Sequence, residues 1–211
     1  MQKINKTIKF AIAYKNWYDE NGKNIDYYSN RKFYDDVLAE LLICQDGLCA
    51  YTERELLTKE EVKDLENKFI QNTNRVCKER ENVNIEHFDY NLRKTDGWNW
   101  DNLFAVDAMI NKYKATKPTN QIMKPDLQNY IPDLLLDYDC ENHKFFAHTN
   151  LDAETAEQVE VMIITLGLNH RVIKNERKSY INCQLFNLKE IREHQYPTAL
   201  KICKSRLRIE Q

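Results

Sequence analysis

Hydrophobic side chains recur three and four residues apart early in the chain, which is the spacing of one helical face. The first such row lies in residues 30–45 and consists of Phe33, Val37, Leu41 and Cys44. Gly47 follows as a predicted stop, because glycine readily adopts the left-handed conformation at a helix C-terminus. Thr58 and Glu61 match a capping box, and the apolar positions after them predict a second helix to about residue 80.

The pattern then changes from helical to extended. The stretch VNIEHFDY, residues 83–90, alternates enough to predict a strand. The stretch RKTDGWNW, residues 93–100, predicts a loop with an Asp-Gly turn. Residues 103–115 return to helical spacing, and Pro118 disfavours helical geometry before it. A strand, a loop and a helix are therefore expected in that order.

The last third of the chain predicts a hairpin followed by helices. The stretch LLLDYDCENHKFFAHTNL, residues 134–151, favours two strands with a turn at its Glu-Asn pair. A helical face follows, made of Ala156, Val159, Met162, Ile163 and Leu166. Gly167 should end that helix, and Asn169 is expected to cap the next one. A final helix over 187–208, with Lys201, Lys204, Arg206 and Arg208, is expected to be a basic amphipathic tail or, equally, a surface that docks a partner.

These elements predict an α+β protein that is mostly helical. We expect residues 1–120 to form an N-terminal region and residues 121–211 a C-terminal hairpin with a helical extension, packed as one unit. The 211 residues, 42% of them hydrophobic and 30% charged, are typical of a soluble protein. The chain contains neither a run of about 18 apolar residues nor a signal-like start, so a cytoplasmic protein without a membrane association is expected.

Charge and cysteine content narrow the function classes. A formal net charge of -2 argues against a protein that coats nucleic acid by bulk charge, although it allows a nuclease with a local basic patch. The six cysteines include no C-x-x-C pair, and we expect them to be reduced thiols.

A candidate site centres on Glu86 and His87 in the predicted strand. On the predicted helix over 103–115, Asp107, Asn111 and Lys114 are spaced to share one face. A strand laid over that face would bring carboxylates, an amide, an imidazole and an ammonium together. Mg²⁺ prefers oxygen ligands, and a neutral histidine can take a proton from an attacking water. The set therefore suits metal-assisted hydrolysis of a phosphodiester bond.

Five short motifs in order extend this pattern over residues 33–178. They are CAYTE at 49–53, EHF at 86–88, WDNLF at 100–104, NKYK at 111–114 and LGLN at 166–169. In this order they resemble the HNH, or ββα-metal, nucleases of Septu defence systems and their retron-associated relatives, the PtuB-like family. The resemblance implies a small ββα-metal core in a mostly helical scaffold, and an ATPase partner of the PtuA type in anti-phage defence.

The resemblance also implies roles for the matched residues. His87 would be the general base, and Glu86 and Asn111 would hold a divalent cation, Mg²⁺ or Mn²⁺. Asn102 would support the loop that orients His87. From its place on the predicted helix face, rather than from the resemblance, Lys114 is expected to neutralise phosphate charge. The predicted contacts to the nucleic-acid backbone are Arg93, Lys94, Lys112 and Lys117.

The chain departs from the family at a structural zinc site. The four positions that match the family's cysteines are Cys49, Thr52, Asp107 and Ile110. A structural zinc site needs four protein ligands, and isoleucine cannot serve as one. Structural zinc is therefore expected to be absent, with Ile110 packed in its place and Asp107 available to the catalytic metal.

Simpler interpretations remain open for several of these residues. A Glu-His pair can lie on an exposed strand edge, and Asp107 can be a solvated helix position. Surface positions are expected for the histidines near and beyond the hairpin turn, namely His143, His148, His170 and His194, and Cys140 beside them is not taken as a metal ligand. Trp98 and Trp100 are expected to pack beneath the loop rather than stack on bases.

Two functional alternatives accompany the nuclease interpretation. The substrate can be RNA, such as tRNA, instead of DNA, because both contain the linkage that this chemistry attacks. The core can also be a decayed HNH scaffold that binds partners without cleaving nucleic acid.

Overall fold

The structure, a computed structural model, describes residues 1–27, 32–73, 82–186 and 194–209, without the side chains of residues 186, 208 and 209. The chain divides into two compact units. The first unit comprises Ile4–Cys49 and Leu56–Pro118, and the second comprises Met1–Lys3, Ala50–Glu55 and Thr119–Gln211. Helices combine with two small antiparallel sheets, so the α+β prediction is confirmed at this level. No helix in the described ranges is long and apolar enough to cross a membrane.

In the described part of the chain, three α-helices precede the sheet of the first unit. They are α1 (Ile12–Trp17), which continues into a π-helical turn, α2 (Tyr34–Cys44) and α3 (Lys59–Ile70). The predicted capping box is confirmed, because the Thr58 hydroxyl accepts from the Glu61 N–H at 3.2 Å and the Glu61 carboxylate accepts from the Thr58 N–H at 2.8 Å. Gly47 has a φ of 73° and, as predicted, lies just beyond the end of α2.

Helix α3 is shorter than the sequence predicted. It ends at Ile70, and Asn72 adopts a left-handed φ of 50°. Residues 74–80 of the predicted helix lie outside the described residues. Two backbone bonds close this end, from the Asn72 N–H to Phe69 O at 3.1 Å and from the Thr73 N–H to Lys68 O at 3.0 Å. Asparagine tolerates this conformation because its short polar side chain bonds locally.

The sheet of the first unit is a hairpin followed by a helix. Strand β1 (Val83–His87) pairs with β2 (Leu103–Asp107), with Val83 opposite Asp107 and His87 opposite Leu103. Helix α4 (Ala108–Lys114) follows directly. The predicted helix over 103–115 is therefore wrong in its first five residues. All five β2 residues are buried, so their apolar run lacks the alternation that distinguishes a half-exposed strand.

Two buried polar side chains attach neighbouring segments of this unit. The Gln45 amide donates to Ala105 O at 2.8 Å and accepts from the Ala105 N–H at 2.9 Å, so it satisfies both backbone groups of a β2 residue. The Glu40 carboxylate accepts three consecutive N–H groups, those of Lys9, Phe10 and Ala11, at 2.7–2.8 Å. Both side chains are fully buried, so these bonds replace the water they lose on folding.

The second unit contains the other hairpin. A short helix α5 (Pro132–Leu135) leads into β3 (Leu136–Asp139), which pairs with β4 (Lys144–Ala147). The predicted hairpin and its turn are confirmed. Helices α6 (Ala153–Thr165), α7 (Arg171–Phe186) and α8 (Pro197–Ile209) follow. Residues 187–193 of the predicted basic helix lie outside the described residues, and α8 begins only at Pro197.

Polar residues in this unit have structural partners that the sequence did not reveal. Asn169 does not cap α7, because its side chain bonds the N–H and the carbonyl of Phe145 at 2.9 and 2.8 Å. The fully buried Arg177 donates to the carbonyls of Leu168 and His143 at 2.8 and 2.9 Å. Its guanidinium also lies 4.7 Å from the centre of the Phe145 ring, within cation–π range.

Helix α8 forms ion pairs with α5 and β3. Lys201 pairs with Asp133, and Arg206 pairs with Asp137 at 2.6 Å. Cys203 forms a disulfide with Cys140 across 63 residues of sequence, so the expectation that all cysteines are reduced is wrong for these two. Tertiary contact between distant cysteines leaves no signal in their spacing. Cys77 lies outside the described residues, and the described cysteines that form no disulfide are Cys44, Cys49 and Cys183.

Candidate functional site

The side chains of Glu86 and His87 contact different parts of the first unit. Glu86 reaches helix α4, where its carboxylate lies 2.6 Å from the Lys114 ammonium. The His87 ring instead meets the loop between the strands, at Gly97. Adjacent strand residues point to opposite faces, which explains the divergence. Both residues are almost completely buried, so the exposed-edge interpretation is wrong.

One hydrogen bond determines which nitrogen of His87 carries the proton. His87 Nε2 lies 2.8 Å from the carbonyl oxygen of Gly97. Because a carbonyl oxygen can only accept, Nε2 must be the protonated nitrogen. In the neutral ring, the lone pair is then on Nδ1. Nδ1 is therefore the atom of this ring that can receive a proton.

Burial keeps the His87 ring neutral. It lowers the pKa of His87 from 6.5 to about 4, and the positive charges of Arg93 and Lys114 act in the same direction. The bond to Gly97 and the charge of Asp26 oppose the shift. At neutral pH the imidazole is unprotonated, which is the state that a general base requires.

Asn102 is attached to the chain immediately after the His87 strand. Its side-chain oxygen accepts from the Asp89 N–H at 2.7 Å, and its side-chain nitrogen donates to Asp89 O at 2.9 Å. Its backbone carbonyl accepts from the Phe88 N–H at 2.8 Å. These three bonds hold the two residues that follow His87, which is the arrangement that a supporting role needs.

Lys114 is fully buried and contacts both residues of the Glu-His pair. Its ammonium donates to Glu86 Oε1 at 2.6 Å and to the backbone carbonyl of His87 at 3.1 Å. A charge-assisted bond of this kind fixes both side chains. Lys114 therefore acts as the link between β1 and α4, and it holds the Glu86 carboxylate beside the helix.

Asp107 and Asn111 do not share a helix face as the sequence predicted. Asp107 precedes α4 and caps it, accepting from the N–H groups of Met109 and Ile110 at 2.9 and 3.3 Å. It lies three rungs along the hairpin from Phe104, the partner of Glu86, which is about 10 Å. Asn111 is half-buried on α4, one turn before Lys114.

The positions that match a zinc site in the family have other environments here. Ile110 is fully buried, in agreement with the packing role expected for it. In the same unit, the Asp107 N–H donates to Cys49 Sγ at 3.5 Å. Thr52 is buried in the second unit. Within the described residues, no group of three or more His, Cys, Asp or Glu side chains is arranged to hold a metal ion.

The predicted backbone contacts lie on two elements of the first unit. Arg93 and Lys94 end a 3₁₀ turn that follows β1, and Arg93 is close enough to His87 to affect its pKa. Lys112 is exposed on α4. Lys117 lies beyond α4, with its ammonium 3.4 Å from the centre of the Tyr113 ring. Lys94 and Lys112 are therefore open to solvent, whereas Arg93 and Lys117 lie against aromatic rings.

Sequence reasoning missed the aromatic surroundings of His87. The Tyr27 ring meets the imidazole edge-to-face at a centroid distance of 4.6 Å, and the Trp98 ring stacks on Tyr27 at 5.0 Å. Trp98 and Trp100 are both buried, as predicted. No sequence signal points to Tyr27, because it precedes His87 by sixty positions and belongs to none of the motifs.

Two histidines outside this site are buried rather than exposed as expected. His143 Nδ1 lies 3.0 Å from the hydroxyl of Tyr138, and His194 Nδ1 lies 2.7 Å from the carboxylate of Glu55. Their positions follow from tertiary contacts of the second unit, which the polar turn residues around His143 did not indicate. His148 and His170 are half-buried.

Comparison with known proteins adds no assignment: no family model matches the chain, and a search of curated proteins found no match.

Proposed function

We propose that this protein is a metal-dependent endonuclease of the HNH type that hydrolyses phosphodiester bonds in nucleic acid. The observation that carries the proposal is the state of His87, a neutral ring whose Nε2–H is bonded to Gly97 and whose Nδ1 keeps its lone pair. The order of β1, β2 and α4 is that of a ββα unit, which supports the proposal.

The proposed chemistry begins with proton transfer to His87. Nδ1 takes a proton from a water molecule as the water oxygen attacks phosphorus, and the bond from phosphorus to the leaving oxygen breaks. A positioned base of this kind contributes about 10²–10⁴-fold to a rate. Asn102 keeps the chain after His87 in place through its bonds to Asp89, so the ring stays aligned.

The donor atoms near α4 suit a hard divalent cation. Glu86 supplies a carboxylate and Asn111 an amide oxygen, and Mg²⁺ usually completes its shell with water and substrate oxygens. Bound by these two residues, Mg²⁺ or Mn²⁺ would neutralise charge on the phosphate and on the leaving oxygen. Asp107 is not included, because it caps α4 and lies about 10 Å along the hairpin from Glu86.

Positive side chains around the site suit a phosphate backbone. Arg93, Lys94, Lys112 and Lys117 are the proposed contacts, and such contacts give an affinity that falls steeply with salt. DNA is the substrate we propose first, with RNA as the alternative. The proposed setting is anti-phage defence with an ATPase partner, which would add cationic surface to a chain of net charge -2.

One observation favours a different function, that of a binding scaffold with a decayed site. The Lys114 ammonium occupies the neighbourhood of the Glu86 carboxylate, where a catalytic metal would need to bind. A scaffold of this kind would bind nucleic acid or a partner protein without cleaving either. The distinction therefore depends on turnover rather than on binding.

The test incubates the purified chain with Mg²⁺ or Mn²⁺ and with single- and double-stranded DNA, tRNA and other RNA. Each reaction is run with and without the product of a neighbouring ATPase gene, and His87→Ala serves as the control. Metal-dependent cleavage that His87→Ala abolishes supports the proposal. Binding without cleavage in every combination would favour the scaffold.

A further inference from the structure

The N-terminal segment of the first unit reaches the ring of His87 through Tyr27. The Tyr27 ring lies at 88° to the imidazole with a centroid distance of 4.6 Å, which is an edge-to-face contact. Trp98 stacks on Tyr27 at 5.0 Å, and the Arg93 guanidinium lies 5.5 Å from the centre of the Tyr27 ring. Tyr27 is thus held by two other side chains while it meets His87.

The same segment also places the carbonyl that accepts from His87. The Gly97 N–H donates to Ile25 O at 2.9 Å. A Cβ on Gly97 would lie 2.4 Å from the Tyr27 nitrogen and 2.4 Å from Arg93 O, both of which are backbone atoms. Only glycine allows this close approach. The loop that carries the Gly97 carbonyl is therefore packed directly against the backbone of residues 25–27.

We propose that Tyr27 is a positioning residue for His87. Its ring limits rotation of the imidazole, and its backbone supports the Gly97 loop, so that Nε2–H stays on the carbonyl and Nδ1 stays available. Tyr27 touches neither substrate nor metal in this account and acts only through His87. The inference rests on the proposed function for its kinetic part, whereas the tautomer of His87 can be measured independently of any activity.

The test compares the full-length chain with Tyr27→Phe, Tyr27→Leu and Tyr27→Met. The matched control is Tyr34→Leu, because Tyr34 is also a half-buried tyrosine packed against the same hydrophobic core. Imidazole ¹⁵N chemical shifts at neutral pH report which nitrogen of His87 is protonated. Turnover on the substrate identified for the wild type reports the consequence, with kcat and KM measured separately.

We expect the wild type, Tyr27→Phe and Tyr34→Leu to show a single Nε2–H tautomer. Tyr27→Leu and Tyr27→Met should show a mixture of tautomers and a kcat lower by about 10- to 100-fold with little change in KM, because a misplaced base loses rate without losing binding. Including two apolar replacements, one of them unbranched, guards against a failure of either one to fold.

An unchanged tautomer in both folded apolar variants would overturn the proposal. So would a kcat that falls equally in Tyr34→Leu, which would show a general packing effect, or a mixed tautomer that leaves kcat unchanged. If the wild type cleaves nothing, a mixed tautomer in Tyr27→Leu still supports positioning by Tyr27, and only the nuclease function fails.

Discussion

The two antiparallel hairpins of the molecule each carry a buried histidine. They differ in which ring nitrogen of that histidine has a hydrogen-bond partner. In the first unit β1–β2 carries His87, and in the second β3–β4 carries His143 at its turn. Both rings are buried, and burial lowers both pKa values. His87 bonds a carbonyl through Nε2, whereas the Nδ1 of His143 lies 3.0 Å from the Tyr138 hydroxyl. The lone pair of His87 is therefore on Nδ1, while the Nδ1 of His143 has a side-chain partner.

Among the described residues, each unit buries one lysine or arginine side chain next to its hairpin, and the partners of the two side chains differ. Lys114 pairs with a carboxylate, Glu86, at 2.6 Å. Arg177 donates instead to backbone carbonyls, those of Leu168 and His143, and lies against aromatic rings. A carboxylate can bind a metal ion in place of an ammonium. The carbonyls that accept from Arg177 are backbone groups, and their bonds to the guanidinium hold the chain in place. Under the proposed function, the first hairpin would carry the chemistry and the second would be structural.

The largest expected effect comes from replacing the two histidines separately. His87→Ala should lower cleavage by about 10²–10⁴-fold, because it removes the proposed base. His143→Ala should leave the cleavage rate per folded molecule unchanged and lower stability instead. Single-turnover rates and circular dichroism of both variants check the prediction. Equal loss of activity in the two would remove the distinction between the hairpins.

Replacing the two buried cations should distinguish Lys114, which pairs with a carboxylate, from Arg177, which bonds backbone carbonyls. Lys114→Met alone should cost about 3–5 kcal/mol of unfolding free energy, because it leaves the Glu86 carboxylate buried without its ammonium. Adding Glu86→Gln should restore most of that loss. Arg177→Met should cost a similar amount, and in the described residues its bonds to Leu168 and His143 offer no acidic partner whose removal would compensate.

Urea unfolding measures these changes, with one m-value, the slope of unfolding free energy against urea concentration, fitted to all variants. If the Glu86→Gln, Lys114→Met double variant is as unstable as the two single losses added together, the two residues are not coupled. The pairing of Lys114 with Glu86 would then not explain their burial.

Acidification should destabilise the first hairpin through His87. The pKa of His87 is about 4 in the folded chain and close to 6.5 when unfolded. The unfolded state therefore binds the proton first, and the stability from the neutral ring is complete above pH 6.5 and lost as pH falls through 4. The loss from this group is about 3 kcal/mol. His87→Gln should flatten the stability profile between pH 7 and 4, and an unchanged slope would contradict the buried neutral ring.

The smallest expected effect comes from two asparagines that make the same kind of contact. The Asn102 side chain forms hydrogen bonds with the N–H and the carbonyl of Asp89, and the Asn169 side chain does the same with Phe145. Replacing either by alanine should cost about 1–3 kcal/mol, since two backbone groups lose their partners. Only Asn102→Ala should also lower kcat. A lower kcat in folded Asn169→Ala would contradict the prediction that only the first hairpin affects catalysis.

Sequence reasoning succeeded where the signal was local. The capping box of Thr58 and Glu61, the stop at Gly47 and the turn of the second hairpin each depend on a few neighbouring residues. Strand β2 was missed because its five residues are all buried, and Val106 and Ile110 continue the helical spacing of α4 across the boundary. Tertiary burial removed the polar alternation by which a strand is recognised.

In the candidate site too, local motifs revealed some residues, and distant segments supply the others. The motifs placed Glu86, His87, Asn102 and Lys114 in one region. In the structure Lys114 contacts both Glu86 and His87, and Asn102 bonds Asp89, two residues beyond His87. Asp107 was misplaced because its helix begins at Ala108, five residues later than predicted, which makes Asp107 a cap. The acceptor at Gly97, the ring of Tyr27 and the buried Arg177 come from distant segments and could not be read from spacing.

The most direct test of the central claim is a titration of the isotope-labelled chain with Mn²⁺, observed at the histidine ring signals. If a metal binds between Glu86 and Asn111, paramagnetic broadening should affect His87 at lower Mn²⁺ concentration than His143. That selectivity should disappear in Asn111→Ala, while the chain stays folded. Equal broadening of His87 and His143, or none at His87, would contradict a metal-dependent site on the first hairpin.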